Sequence, residues 1–350
     1  MIKKEITELL KLRDVDQGQL FKDADFVREK YVGREVYLRA LIEYSNICRK
    51  DCYYCGIRSS NKCQSIRYTL NEEEVLEVAV VAQKQKINSL VIQSGERCSN
   101  EFVDDIERLL KVIAQKFNNQ FRVTLSCGEQ SKDVYKRWYD AGGVRYLLRF
   151  ETSNQSLYKK IHPSDSKHDF RTRLQCLNDL KELGFQVGSG FMMGLPTQNY
   201  DDIASDLLFL KELDVDMVGM GPYLPHNKTP LFASEEWDLN EKINVSLNAI
   251  ATLRIMMKDI NIAATTALRA AAIDGRSKGI RAGANVVMPN FTPKKYREEY
   301  YLYENKPLVY TDEQMTLMEE ECVSGQYILK YGEWGDSKHS KHSKQNRIFL

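Results

Sequence analysis

Short apolar runs alternate with longer amphipathic stretches through most of the chain. The apolar runs have the length and the β-branched residues of buried strands, whereas the stretches between them repeat apolar residues at helical spacing. Eight strands are predicted, at residues 35–43, 89–93, 121–126, 145–150, 186–192, 216–220, 261–265 and 285–288. Strands that alternate with helices predict an α/β fold, a parallel (β/α)8 barrel of the TIM type. An open doubly wound sheet is the alternative, because periodicity does not show whether a sheet closes.

The regions outside the barrel are predicted from composition and periodicity. Residues 2–12 and 16–30 have helical periodicity, so residues 1–34 are predicted to form an N-terminal helical cap. The barrel then covers residues 35–290, and residues 291–332 form a C-terminal extension that closes it. The stretch from Ser337 to Lys344 repeats serine, lysine and histidine, and this low complexity predicts a mobile polar tail over residues 333–350.

Composition narrows the function classes. Hydrophobic residues make up 43% of the chain, charged residues 28%, and the net charge is +1, which predicts a soluble globular protein without an electrostatic basis for binding nucleic acid. No run of eighteen apolar residues predicts a membrane span. Eight cysteines without a secretion signal favour a reducing compartment, so a cytoplasmic location is expected.

Three cysteines carry the most specific signal in the sequence. Cys48, Cys52 and Cys55 have the spacing C-x3-C-x2-C on one predicted loop. Iron–sulfur clusters are usually closed by four cysteines, so three thiolates leave one iron open for a small ligand. A partial zinc knuckle is the alternative, but no second cysteine or histidine pair follows to complete it. A non-catalytic electron carrier is also disfavoured, since it needs a fourth cysteine.

Polar residues follow several of the predicted strands, where the carboxyl-terminal rim of a barrel holds its chemistry. Ser94, Gly95 and Glu96 follow the second strand. Arg149 and Glu151 end the fourth strand and share a face by the period of two. Two opposite charges that point into a barrel must either pair with each other or bind a polar ligand.

The order of these motifs makes the chain resemble a known family. Up to about residue 305 it resembles the radical S-adenosylmethionine (radical-SAM) maturases of [FeFe]-hydrogenase, the HydE type, within the biotin synthase-like group. The matching stretches are residues 48–58, 94–96, 146–152, 190–196, 216–225, 264–267, 283–290 and 296–303. The resemblance implies an anaerobic enzyme with one [4Fe–4S] cluster. Such an enzyme reductively cleaves S-adenosylmethionine (SAM) to a 5′-deoxyadenosyl radical during assembly of the hydrogenase H-cluster.

The resemblance also implies a role for individual residues. Cys48, Cys52 and Cys55 would be the iron ligands, and Tyr54 would lie near the adenine of SAM. The remaining SAM contacts would be Ser94, Gly95, Glu96, Glu151 and Arg173. The substrate cavity and its catalytic residues would be Arg149, Thr124, Thr265, Thr266, Met288 and Tyr303. Tyr303 follows Tyr296 and Tyr300 at helical spacing, so a packed core face is the alternative for it.

The expected partners follow from the same family. They are a small organometallic or amino-acid-derived substrate, a reductant such as ferredoxin or flavodoxin, and the companion hydrogenase maturases. A methylornithine synthase-like mutase and a biotin synthase-like enzyme share the barrel and the cysteine spacing, and both remain alternatives.

The chain departs from the family pattern at three places. Some members hold a second cluster near the C-terminus, but residues 308–332 contain only Cys322, so one cluster is expected. Phe150 replaces a common histidine, and residues 268–278 lack the glycine-rich form of the family. No role is assigned to the other cysteines, Cys63, Cys98, Cys127 and Cys176.

Overall fold

The computed structural model describes residues 1–62, 66–232, 236–304, 306 and 311–340. The helices are α1 Lys3–Leu10, α2 Asp14–Tyr31, α3 Glu72–Lys84, α4 Asn100–Lys116, α5 Lys132–Asp140, α6 Gln155–Ile161, α7 Phe170–Glu182, α8 Tyr200–Leu213, α9 Leu239–Met256, α10 Thr266–Ala271, α11 Gly275–Arg281, α12 Lys294–Arg297 and α13 Thr311–Ser324. The strands are β1 Glu35–Leu38, β2 Ala40–Ser45, β3 Ser89–Ser94, β4 Arg122–Ser126, β5 Arg145–Leu147, β6 Gln186–Ser189, β7 Met192–Met193, β8 Met217–Val218, β9 Gly221–Pro222, β10 Asn261–Ile262, β11 Val286–Val287 and β12 Ile328–Lys330. Cys63 lies outside the described residues.

A parallel sheet closes into the predicted barrel. Seven strands pair in the order β10-β8-β6-β5-β4-β3-β2. β11 joins the two edges, because Ala263 bridges Val286 on one side and Leu41 bridges Asn290 on the other. β1 and β2 act as one barrel strand interrupted at Arg39, whose backbone N–H donates to Val287 O at 3.0 Å. All eight predicted strands are confirmed, and so is the TIM-type fold.

The N-terminal helices cover one outer wall of the barrel. α1 packs against α8, and α2 packs against α9. Asn248 of α9 donates from Nδ2 to the carbonyl oxygens of Leu10 and Leu12, each at 3.0 Å, and so satisfies carbonyls left open at the end of α1. None of the described helices is long and apolar enough to cross a bilayer.

The C-terminal segment 332–340 lies against the amino-terminal end of the barrel. The buried guanidinium of Arg39 donates to Gly335 O at 3.1 Å, and the buried guanidinium of Arg145 donates to Trp334 O at 2.9 Å. Residues 333–340 of the predicted mobile tail thus lie against the barrel in the structure, where these carbonyls accept from the two arginines. The composition of this segment does not show that its backbone carbonyls serve as acceptors for two buried arginines, which need such partners. Residues 341–350 lie outside the described part of the chain.

Candidate functional site

The three cysteines lie on a loop that leaves the carboxyl end of β2, here called the cysteine loop (residues 46–61). The backbone N–H of Arg49 donates to Glu96 O at 2.8 Å, which ties this loop to the end of β3. The side chain of Asn46 accepts a hydrogen bond from the backbone N–H of Tyr68 at 2.8 Å. These two hydrogen bonds fix the first part of the loop, which contains Cys48.

Gly95 lets the end of β3 approach the cysteine loop closely. A Cβ atom at this position would lie 2.8 Å from Cys48 Cβ and would also clash with Ile47 O. The next backbone N–H, that of Glu96, donates to Cys48 Sγ at 3.3 Å. A sulfur that accepts a backbone hydrogen bond is better able to carry negative charge.

Without a bound metal, the three cysteines are more stable as neutral thiols than as thiolates. Burial raises the pKa of Cys48, and burial together with the neighbouring Cys48 raises the pKa of Cys52 to about 12. Burial, then Cys52 and Cys48, raises the pKa of Cys55 well above its usual value. The three sulfurs are thus neighbours whose negative charges oppose one another, and iron supplies the positive charge that reverses this.

The number of thiols on the loop also fits a cluster, because Cys48, Cys52 and Cys55 are all free. In the part of the chain that the structure describes, no three cysteine, histidine or carboxylate side chains could hold a single metal ion. A [4Fe–4S] cluster makes a different demand, because each thiolate binds a different iron atom. The donor set therefore fits a cluster with three protein ligands.

Glu96 already has protein partners for both carboxylate oxygens. Its Oε1 lies 2.9 Å from Arg49 Nη2 and 3.5 Å from Lys50 Nζ. Its Oε2 accepts the backbone N–H of Glu129 at 2.9 Å. The hydroxyl of neighbouring Ser94 donates to the carbonyl of Gly95 at 2.7 Å. Ser94, Gly95 and Glu96 thus lie beside the cysteine loop; their contact with a cofactor stays a prediction.

Arg173 belongs to a buried ion pair that the sequence did not reveal. It lies on α7, its Nε is 2.5 Å from Glu129 Oε1, and its Nη1 donates to Arg149 O at 2.8 Å. Although burial opposes ionisation of Glu129, Arg173 and Lys50 hold its pKa below the usual range. Glu129 is therefore a buried carboxylate that stays ionised at neutral pH.

Arg149 and Glu151 lie side by side, but strand periodicity is not the reason. β5 ends at Leu147, and Glu151 adopts a left-handed backbone with φ +69°. Its backbone N–H donates to Gly190 O at 3.1 Å and its carbonyl accepts from Met192 N at 3.2 Å, which fixes this unusual conformation.

The charged ends of this pair are close without being hydrogen-bonded. Arg149 Nη2 is 3.0 Å from Glu151 Oε2, an ion-pair distance. Neither atom has a hydrogen bond among the described residues, although both atoms are buried, because the orientation is poor. Buried polar atoms of this kind are normally satisfied, so the arrangement suits a polar ligand that binds between or beside them.

Tyr54 is held by a neutral histidine. Its hydroxyl lies 3.3 Å from His162 Nε2, and His162 Nδ1 lies 2.9 Å from Tyr158 O. Burial, with Arg173 nearby, lowers the pKa of His162 to about 3. The imidazole therefore donates from Nδ1 and accepts from Tyr54, which fixes the Tyr54 ring beside Cys55.

The structure brings together four of the residues expected at the substrate. Thr265, Thr266 and Met288 line one cavity beneath α13, and the Tyr303 hydroxyl donates to Thr266 Oγ1 at 3.0 Å. Burial raises the pKa of Tyr303 to about 12, so this phenol keeps its proton. The cavity is also lined by Leu41, Glu43, Ala264, Arg269, Arg276, Asn290, Lys306, Gln314, Leu317 and Met318.

Thr124 is not in that cavity. It lines a second, smaller cavity nearer the base of the barrel together with Arg39 and Arg145. Its buried hydroxyl has no hydrogen-bond partner in the described part of the chain. Of the residues expected at the substrate, the structure sets two apart: Thr124, and Arg149, which lies beside Glu151 and does not line the cavity.

Sequence reasoning missed Lys50, Glu129 and His162. Glu129 follows β4 and comes directly after Gly128. The rule that polar residues at strand ends are site candidates, which selected Glu151, could also have selected Glu129. Lys50 was recognisable only as a neighbour of the cysteines. Nothing in the sequence marks His162, because its contact with Tyr54 forms between a loop and α6.

Comparison with known proteins identifies relatives of the whole barrel. The family model of the radical SAM superfamily matches residues 42–210. The chain is 46% identical over 293 residues to the [FeFe] hydrogenase maturase subunit HydE of Thermotoga maritima, covering 83% of this chain and 80% of that protein. It is 27% identical to 3-methylornithine synthase of Methanosarcina acetivorans, over 81% of this chain and 77% of that protein.

A solved structure supports the fold independently. The crystal structure of methylornithine synthase (PylB) superposes with a TM-score of 0.81 at 22% identity and covers 95% of this chain and 94% of that chain. At this level of identity the likeness concerns the fold alone.

Proposed function

Because the chain belongs to the radical SAM superfamily and, within it, to the family of HydE-type [FeFe]-hydrogenase maturases, we propose that its reaction serves assembly of the di-iron H-cluster. The enzyme uses a [4Fe–4S] cluster and S-adenosylmethionine. The observation that carries the proposal is the 46% identity to HydE over 83% of the chain.

The cysteine loop is assigned to the cluster. Cys48, Cys52 and Cys55 would hold three irons, and the N–H of Glu96 would stabilise the Cys48 sulfur. When bound, the reduced cluster supplies the electron that breaks a carbon–sulfur bond of SAM and gives the 5′-deoxyadenosyl radical. The protein shields Cys52 from water, since this residue is only 9% exposed.

The SAM pocket is assigned to the far side of the same loop. Glu151 offers one buried oxygen, and Arg149 offers two buried nitrogens, Nε and Nη2, that lack hydrogen bonds among the described residues. Tyr54 packs with an apolar cluster that suits a flat base; its other members are Tyr53, Leu157, Ile161, Met192, Leu195, Tyr223 and Leu231. Arg173, anchored by Glu129, supplies positive charge for a carboxylate.

The substrate is assigned to the cavity of Thr265, Thr266 and Met288. A cavity inside a barrel, lined by hydroxyl, thioether and charged groups, favours a small polar molecule over a polymer. The proposed substrate is an organometallic or amino-acid-derived molecule, the electron donor is a ferredoxin or flavodoxin, and the companion maturases are functional partners. A cytoplasmic location agrees with seven described cysteines that are all free thiols.

Genetic complementation tests the proposal. The protein is supplied to a cell that makes an [FeFe]-hydrogenase with the other two maturases but lacks this one. Hydrogen evolution should recover, and it should be lost again with Cys55→Ser. A matched Cys98→Ser variant, which changes an exposed thiol outside the loop, should behave as wild type.

Methylornithine synthase is the second candidate, because the chain is 27% identical over 81% of its length to 3-methylornithine synthase of Methanosarcina acetivorans. No recovery of hydrogen evolution, with methylornithine formed from lysine instead, would favour this candidate. A biotin synthase-like sulfur insertion needs a sacrificial cluster inside the barrel. The end of β6, with Gly188 and Ser189, offers no cysteine for one.

A further inference from the structure

Lys50 is a buried cation inside the cysteine loop. It lies between Cys48 and Cys52, and its side chain is only 3% exposed, whereas that of its neighbour Arg49 is 36% exposed. Its Nζ is 2.7 Å from Glu129 Oε2 and also contacts Lys167 O. A buried ammonium group is tolerated only when such partners compensate for lost hydration.

Glu129 joins this lysine to the arginine assigned to SAM. Its Oε2 binds Lys50, and its Oε1 lies 2.5 Å from Arg173 Nε. Arg173 in turn donates to Arg149 O, two residues before Glu151. One carboxylate thus connects the cysteine loop, α7 and the turn that carries Glu151.

The backbone around Glu129 is built for this position. Gly128 has φ +78°, and a Cβ atom there would lie 2.6 Å from Glu96 Cβ. The backbone N–H of Glu129 donates to Glu96 Oε2 at 2.9 Å. A left-handed glycine and a carboxylate acceptor together turn the chain so that the Glu129 side chain reaches both cations.

The charges around the loop do not cancel. In the network joined by Glu96 and Glu129, Arg49, Lys50 and Arg173 are positive and the two carboxylates are negative, so the network itself carries one net positive charge. At short distance and in a dry site such a charge acts strongly on an anionic cluster and on a carboxylate ligand.

We propose that Glu129 is a positioning residue for the cofactor site: it holds Lys50 in the cysteine loop and aims Arg173 at the carboxylate of SAM. This inference rests on the proposed function, since the SAM site is assigned there. Neither cation can hold the other in place, because like charges repel. Glu129 therefore couples the geometry of the cluster loop to that of the SAM pocket.

Equilibrium SAM binding to the anaerobically reconstituted protein tests this role without substrate or hydrogenase. Glu129→Gln keeps the size of the side chain but removes the charge that both cations share. We expect SAM affinity to fall roughly ten- to hundredfold, the usual effect of losing one charge-assisted hydrogen bond. The iron content should stay that of wild type, and SAM should change the paramagnetic signal of the reduced cluster less. Glu101→Gln, at an exposed position of α4, is the matched control and should bind SAM as wild type does.

A double variant distinguishes the loss of the Arg173 anchor from a folding defect caused by an unbalanced buried charge. Lys50→Met with Glu129→Gln removes one charge of each sign, so the net charge of the buried group is unchanged. Arg173 still lacks its anchor, and the loss of SAM affinity should persist.

Two results would overturn the inference. The first is a Glu129→Gln variant that has full iron content and binds SAM within about twofold of the wild-type affinity. The second is a double variant that binds SAM with full affinity. Either result leaves the proposed function intact if wild type binds and cleaves SAM. A wild-type protein that binds no SAM would instead remove the proposed function, and the inference with it.

Discussion

His339 should make the stability of the protein depend on pH through the segment that covers the base of the barrel. Its Nδ1 is 3.0 Å from Asp259 Oδ1, and its Nε2 is 2.9 Å from Asp214 Oδ1. With a carboxylate at each nitrogen, the imidazole is favoured in its doubly protonated form. Hydrogen bonds that His339 donates, first the one to Asp259, raise its pKa from 6.5 to about 9. Lys181, 3.7 Å from Asp214 Oδ2, is a further cation near this group, and buried Asp216 is a further acid.

The sign of the effect follows from the raised pKa. The stabilisation is fully present below the unfolded-state pKa of 6.5 and is lost as the pH rises through about 9. A pKa change of this size contributes at most about 3 kcal/mol to the free energy of unfolding. The imidazole is only about half buried, so solvent screening reduces this to about 1–2 kcal/mol.

The variant His339→Gln should therefore lower the free energy of unfolding by about 1–2 kcal/mol near pH 6 and by almost nothing near pH 10. Anaerobic urea unfolding of the variant and of wild type at both pH values measures this. Asp259→Asn, which removes one carboxylate partner, should give a loss with the same pH dependence. A loss equal at both pH values would show that His339 contributes packing rather than charge.

Three further predictions concern the cluster and SAM. Anaerobic reconstitution should give close to four irons per chain, because Cys322 is the single cysteine in the C-terminal region; about eight irons would contradict this. Glu151→Ala and Arg173→Ala should each weaken SAM binding roughly ten- to hundredfold in equilibrium titrations while iron content is unchanged, and wild-type affinity would make both residues structural. Gly95→Ala should displace the cysteine loop, since the new Cβ would lie 2.8 Å from Cys48 Cβ, and should lower iron content; full iron would refute the packing argument.

The barrel was predictable because buried parallel strands are short apolar runs, and such runs between helical stretches have few other structural interpretations. Strand ends also pointed to Arg149 and Glu151, yet their proximity comes from the left-handed turn at Glu151, which period-two reasoning does not contain. Barrel closure rests on bridges such as Ala263 to Val286, which link residues far apart in sequence.

The buried charges were the least predictable part of the site. Lys50, Glu129 and Arg173 come from three separate elements and meet only after the barrel forms. The contacts of segment 333–340 were hard to predict for a related reason. Its composition is polar, but its backbone carbonyls satisfy Arg39 and Arg145 inside the barrel.

The most direct test of the central claim is the product of SAM cleavage by the reduced, reconstituted protein. Wild type should form 5′-deoxyadenosine and methionine in equal amounts, and Cys52→Ser should form neither. The matched variant Cys98→Ser, at an exposed thiol, should match wild type. A wild-type protein that contains its cluster, binds SAM and yields no 5′-deoxyadenosine under strong reduction would contradict the account.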